Sequence, residues 1–451
     1  MSKEAASTMY KIIATTTPSG KKKREAGNME HQPCHGKNAM LVAAETTEQP
    51  PPPPEEYGTA ASKVLGNDDL VGEILNHVDS PTTLVRAAAV SKRWLRRASG
   101  RAFLRRFRAR HPPRLLGFYV TGDRMYRPEF IPMPDTNTEL TSSAALRRAA
   151  GSVFDALPEF SDSTVWDTRN GRVLFSFTDP HGHHLQLAVR DTMRDPAGAM
   201  AELPPLPPTL GGECLHAVLL PDDEHDDATT CYHVDAHHVG RSVSAEVTVL
   251  RSGAWTVLCS AKANLATPPE RIPTVTLLAG GKVYMVTVAG YIICVDLATG
   301  NLFAIDLPDG VTYEHFGTLV PCRGDDSVLY LFHLKGDKLS VWLRRMDQLA
   351  GEWVLWDTVS VKETCRHLVD HPSEPASALV VGVGDNAEFV FLETLVFNSY
   401  FVVYLHLGSR KAEKVYQKDP ENDEIIRVHP FMTAWPPVFP ALDSDEEPRH
   451  G

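Results

Sequence analysis

A regular apolar period starts near Leu65. Leu70, Ile74, Leu75 and Val78 recur at the spacing of one helical face. Asn67 or Asp68 precedes that face and supplies an oxygen to cap the free N–H groups of its first turn. Ser80-Pro81 reads as the start of a second helix, since proline at the first helical position gives up an N–H that has no partner there. Leu84, Ala87, Ala88, Trp94 and Leu95 continue an apolar face until Ser99-Gly100 breaks it. Phe103, Leu104 and Phe107 form a last amphipathic turn, and His111-Pro112-Pro113 ends it. The pattern predicts a helical unit of about fifty residues, close to the smallest size that folds alone.

From Leu115 onward the texture changes to short β runs separated by turn residues. Gly171–Phe177 alternates after an Asn-Gly turn, and Leu185–Val189 follows as its hairpin partner. Gly281–Val286 and Tyr291–Asp296 repeat the pattern and lead through Thr299-Gly300 to Phe303–Ile305. Ser244–Leu250, Leu339–Arg345 and Tyr400–Leu407 read as later strands of other units. Unit starts near residues 171, 215, 281, 327 and 378 give a repeat of about 45–65 residues, the range of four-stranded propeller blades. Strands around Leu116–Val120 and Phe431–Phe439 are expected to build a sixth blade from the two ends of this region, removing exposed sheet edges. The fold class predicted is multidomain, helical then all-β and propeller-like, with stacked β-sandwiches as the alternative.

The helical segment also carries an ordered set of motifs: Asp69-Leu70-Val71, Glu73-Ile74-Leu75, Ser80-Pro81, Leu84–Ala88 and Val90–Trp94. It resembles an F-box, the module that docks a protein on the Skp-type adaptor of a cullin ubiquitin ligase. The extension Ala102–Phe107, with His111-Pro112-Pro113 and Leu115–Tyr119, is similar to that of a large plant F-box family. Gly66-Asn67 stands where that family usually has proline, and Ser91 where it usually has cysteine. The resemblance implies a non-catalytic receptor subunit; the alternative is a β-propeller enzyme or carbohydrate-binding module with a vestigial helical appendage. Leu70, Val71, Ile74, Leu75, Pro81, Leu84, Val90 and Trp94 would form the adaptor-binding unit, some as its internal core, and the β region would hold a client protein.

Composition adds boundaries. Residues 1–60 hold few large apolar side chains and end in Pro50–Pro54, which reads as a disordered tail with a polyproline linker. The F-box unit then covers 61–113, the β domain 114–440, and an acidic disordered tail 441–451. The net charge of −12 argues against nucleic acid as a partner of the whole chain. Charge is nevertheless uneven: Arg86–Arg114 holds ten Arg, one Lys and no acid. The last helical turn is expected to pack Phe103, Leu104 and Phe107 against the β domain and to turn Arg101, Arg105 and Arg108 outward. No apolar run is long enough for a transmembrane helix, and none forms the apolar stretch of a secretory signal, so no membrane is expected as a partner. Seven widely spaced cysteines suit a reducing compartment, cytoplasmic or nuclear. Lys21-Lys22-Lys23-Arg24 reads as a nuclear import signal or as solvated charge.

Little in the sequence points to chemistry. His181, His183 and His184 form one group and His233, His237 and His238 another near Asp235; both read as surface turns, and no metal or cofactor is expected. No G-x-S-x-G elbow occurs, and Gly382-Val383-Gly384 lies between strands rather than before a helix. The long connections Asp191–Gly212, Pro221–Thr230 and Cys259–Pro273 are the candidate client loops. Asp222, Asp223, Glu224, Asp226 and Asp227 in the second suit a client offering Lys or Arg, and equally suit a solvated insertion.

Overall fold

The structure is a computed structural model. It describes residues 67–439, except 123–126, 135–140, 158–160, 179–184, 194, 196–197, 209–213, 222–228, 270–275, 326, 347–350, 369–377, 397–398, 418–425, 434–436 and 438. The two tails, the acidic run 222–227 and His181–His184 therefore lie outside the described residues. The chain divides into two compact units. One holds the helices up to Pro113 together with the stretch from Trp435 onward, and the other is Arg114–Ala434.

Among the described residues the helical unit has four short helices, α1 (Asp68–Asn76), α2 (Pro81–Ala88), α3 (Lys92–Ala98) and α4 (Arg101–Arg110). Three starts carry a side-chain cap. Asn67 accepts from the N–H groups of Asp69 and Leu70, Ser80 from Thr83, and Ser91 from Trp94. The last cap corrects the sequence reading, which ran Leu84–Leu95 as one helix. Ser91 is extended, and its hydroxyl opens a new helix there.

In the β unit, β1 (Leu115–Gly122) and β2 (Glu129–Pro132) precede the helix α5 (Thr141–Gly151). Five four-stranded sheets follow. Blade 1 is β3 (Ser163–Arg169), β4 (Arg172–Thr178), β5 (Leu185–Asp191) and β6 (Ala201–Glu202). Blade 2 is β7 (Cys214–Leu219), β8 (Cys231–Val239), β9 (Ser242–Arg251) and β10 (Ala254–Asn264). Blade 3 is β11 (Thr276–Ala279), β12 (Lys282–Val286), β13 (Tyr291–Asp296) and β14 (Asn301–Asp306). Blade 4 is β15 (Leu319–Arg323), β16 (Val328–Lys335), β17 (Lys338–Arg345) and β18 (Val354–Ser360). Blade 5 is β19 (Ala378–Val383), β20 (Phe389–Val396), β21 (Ser399–His406) and β22 (Lys411–Gln417).

The last strand, β23 (Ile426–Met432), returns to pair antiparallel with β1, whose other edge holds β2. The sixth blade is thus built from both ends of the unit, as the sequence suggested, and the fold is a six-bladed β-propeller. Phe439, placed by the sequence reading in this last strand, packs instead against the helical core.

The first strands of successive blades touch one another around the ring, which makes them the channel wall. Six apolar clusters fill the six crevices between neighbouring blades. Adjacent residues of one strand serve different crevices. Leu174 faces blade 2, while Val173 and Phe175 face the sixth blade. A strand buried on both faces reads as a continuous apolar run, which is why the second strands were the visible ones. The unit starts at 171, 281 and 327 mark second strands; the first strands β3, β11 and β15 precede them and are less fully buried. Asn170-Gly171 joins β3 to β4 with both residues at positive φ, and a Cβ at Gly171 would fall 2.2 Å from Met193 Cγ.

Candidate functional site

The helical unit closes on a single core. Val71, Leu75, Leu84, Ala87, Ala98 and Phe107 are fully buried, with Trp94 and Phe103 nearly so. Phe103 stacks on Phe107 at 5.9 Å, and Phe107 lies 4.5 Å from the His111 ring. Both phenylalanines are therefore consumed by the helical unit's own core, where the sequence reading had aimed them at the β domain. Trp94 is buried in the same core, and Phe439 packs against it. Arg110 donates to the Asn76 carbonyl at 2.9 Å, tying the end of α4 to the end of α1. Burial lowers the His111 pKa, partly offset by Asp79 and a bond to the Val78 backbone.

The eight residues singled out in the sequence separate into two sets. Val71, Leu75, Leu84 and Trp94 belong to the core and are sealed from any partner by their own fold. Leu70 is 43% exposed, and Ile74, Pro81 and Val90 are half-buried. The F-box motifs named both sets without distinguishing them; only packing tells them apart. Beside Leu70, Arg93 bonds Asp68 at 2.5 Å and Arg97 reaches Asp69 at 3.3 Å, linking α3 to the first turn of α1. The acids sit at a helix N-terminus, where the backbone dipole favours them.

In the β unit the C-terminal ends of the first strands converge at one end of the channel. Arg169 at the end of β3 pairs with Asp385, which follows β19, and Arg323 at the end of β15 approaches the same carboxylate at 3.6 Å. The contact joins blade 1 to blades 4 and 5. Asp167, two residues earlier on β3, accepts from the Leu220 N–H at 2.9 Å, and burial raises its pKa against the pull of Arg323 and Arg169. Asp385 opens a short turn in which Asn386 and Ala387 take φ of 57° and 52°. Asn386 holds the turn by accepting from the Asp325 N–H at 2.7 Å and donating to its carboxylate at 3.1 Å. Sequence reading missed this cluster, since its members are ordinary turn and strand-end residues far apart in the chain.

The second histidine group corrects an expectation. His233, His237 and His238 lie on β8, not in a turn. His233 is buried, and its ring lies parallel to that of His216 on β7 at 5.9 Å; burial lowers its pKa, and His216 lowers it further. Among the described residues no group of three or more His, Cys, Asp or Glu is arranged to hold a metal ion. Five described cysteines form no disulfide, and burial pushes the Cys294 thiol up to about 12 and the Cys365 thiol to about 11. Of the three long connections, Pro221–Thr230 joins β7 to β8, while Cys259–Asn264 belongs to β10 and is strand rather than loop.

Residues 164–439 match the family described as F-box protein AT5G49610-like, beta-propeller. The chain belongs to this F-box protein family. Its matched span begins within β3 and runs past β23, so the F-box protein family covers five blades and the closing strand. No curated protein matches the chain. Among solved structures, this F-box protein is similar to a protein of unknown function from Bacteroides caccae, at 10% identity and a TM-score of 0.40 over 70% of this chain and 98% of that one. A second protein of unknown function, from Bacteroides thetaiotaomicron, matches at 13% identity and a TM-score of 0.35, over 63% of this chain and 64% of the other. The β-propeller domain of Nup133 from Vanderwaltozyma polyspora matches at 10% identity and a TM-score of 0.33, over 57% and 68%.

Proposed function

We propose that the chain is the substrate-receptor subunit of a Skp-cullin-F-box ubiquitin ligase, working in the cytoplasm, the nucleus or both. The helical unit docks the Skp-type adaptor, and through it the cullin; the propeller holds a client protein. In this reading the chain performs no chemistry itself. It raises the local concentration of client beside the ubiquitin-carrying enzyme, which converts a bimolecular encounter into a tethered one.

One observation supports the reading above the others. The F-box sequence folds into a unit that keeps apolar side chains outside its own core, Leu70 above all, while the neighbouring unit is the propeller of an F-box family. An isolated exposed leucine means little, but Ile74 follows it one turn later on α1, and Pro81 and Val90 are further half-buried apolar positions of the same unit. Interfaces take most of their energy from a few such anchors. The test is affinity capture from cells with the full chain and with a version lacking residues 65–110. Adaptor and cullin should be recovered only with the former, and the client with both. Equal recovery of the adaptor by both would rule the reading out.

A further inference from the structure

Two arginines of different blades, Arg169 and Arg323, converge on one carboxylate at the channel end, and that carboxylate belongs to neither strand. Asp385 is delivered by a turn of its own. Its side chain keeps 27% of its surface exposed, against 18% for Arg169 and 13% for Arg323, so solvent reaches the carboxylate side of the cluster more readily than the guanidinium side. Paired guanidinium groups are the common protein answer to a planar oxyanion, because their N–H donors match its lone pairs.

The turn that carries Asp385 is not a relaxed one. Asn386 and Ala387 both hold positive φ without being glycine, and Ala387 is buried. A conformation of that kind is unfavourable for a residue with a Cβ and persists only where neighbours enforce it. The enforcing contacts here are the Asn386–Asp325 pair of hydrogen bonds and the hold of the arginines on Asp385. Asp167, the other carboxylate near the arginines, is anchored by the Leu220 and Thr168 N–H groups and cannot swing away as a turn residue can.

We propose that Arg169 and Arg323 form an oxyanion-binding clamp at the channel end, and that Asp385 occupies it as a tethered internal competitor. The external ligand is a carboxylate or phosphate group presented on the client. This deepens the receptor reading and rests on it for the identity of the ligand's bearer, though the clamp itself does not depend on adaptor docking. An arriving oxyanion takes the place of the Asp385 side chain, and the turn relaxes outward.

The test is the thermal stability of the full-length chain titrated with sodium phosphate, and separately with sodium succinate, against sodium chloride at matched ionic strength. In Asp385→Asn, which removes the carboxylate that Arg169 and Arg323 share, the oxyanions should raise Tm saturably, by roughly 2–5 °C at ten times Kd. The wild type should show the same rise shifted to higher concentration. Arg323→Gln should abolish it in both backgrounds. Response to phosphate alone or to succinate alone identifies which oxyanion the clamp prefers, and either supports it. An Asp385→Asn response no different from chloride, or one that survives Arg323→Gln, overturns the proposal. If Asp385→Asn does not fold, the comparison of wild type with Arg323→Gln decides: a saturable response lost in the variant supports the clamp, and identical curves refute it. Loss of adaptor capture on deleting residues 65–110 is read separately, so failure of the clamp and failure of the receptor assignment cannot be confused.

Discussion

Leu70 and Leu75 share the short helix α1, yet Leu75 is fully buried and Leu70 is 43% exposed. Five residues on a helix turn a side chain by well over a right angle, so one leucine enters the core and the other faces out. Leu75→Ala should therefore destabilise the helical unit by about 2–5 kcal/mol, and Leu70→Ala by less than about 0.5 kcal/mol. Urea unfolding of the two variants, followed by far-ultraviolet circular dichroism and Trp94 fluorescence, checks both values. Equal losses would show that the two positions are packed alike.

Phe107 is fully buried among Val71, Leu75, Leu84 and Trp94, with Phe103 and His111 on its ring. Phe107→Ala should cost about 3–5 kcal/mol, enough to unfold a unit of this size at 25 °C. The propeller has its own cores, so its unfolding transition should stay within about a degree of the wild type. A loss below about 0.5 kcal/mol would place the ring outside the core.

The propeller should lose stability in mild acid. His429 on β23 is held by burial, with help from Arg427, at a pKa of about 3 against an ordinary 6.5; burial also lowers His233 and His333. Below 6.5 the unfolded chain takes up protons that these folded rings refuse, so their contribution is complete above that pH and is lost as pH falls toward the folded value. His429 alone should contribute about 1–2 kcal/mol of loss by pH 5, the lower figure reflecting the partial exposure of the residue as a whole. Tm measured from pH 7.5 to pH 4.5 should fall more steeply for wild type than for His429→Gln. Parallel curves would show that the ring titrates normally.

Closure of the ring rests on β23. Phe431 is fully buried between Tyr119, Phe130 and the blade 1 core, with aromatic neighbours at 5.9 Å. Phe431→Ala should remove about 3–5 kcal/mol, and a chain ending before Ile426 should lose cooperative unfolding because β1 then has one partner strand instead of two. Hydrogen exchange at β1 reads this directly. Unchanged protection at Phe118–Val120 would mean that closure does not depend on the last strand.

Much of this architecture was legible because its signals are local. Ser80-Pro81 announced a helix start whatever lay elsewhere, and the second strands stood out because burial on both faces removes polar alternation. What escaped depends on distant neighbours. Residues Cys231–Val239 look like a polar turn, yet they form an inner strand because blade 1 covers one face and blade 3 the other. The Arg169–Asp385 pair joins residues 216 apart, and only closure of the ring brings them together. In the helical unit the F-box resemblance singled out eight apolar positions, but which of them form the interior is decided by α4 closing over α1, a packing fact that no single helix encodes.

The receptor assignment stands on adaptor docking through the outward set. The direct measurement is the affinity of purified Skp-type adaptor, by calorimetry, for the wild-type chain and for a variant carrying Leu70→Ala, Ile74→Ala and Pro81→Ala together. Since none of the three is fully buried, circular dichroism should show the helices intact. The account predicts that binding weakens by at least a hundredfold, about 2.7 kcal/mol. A folded variant that binds the adaptor as tightly as the wild type would contradict it.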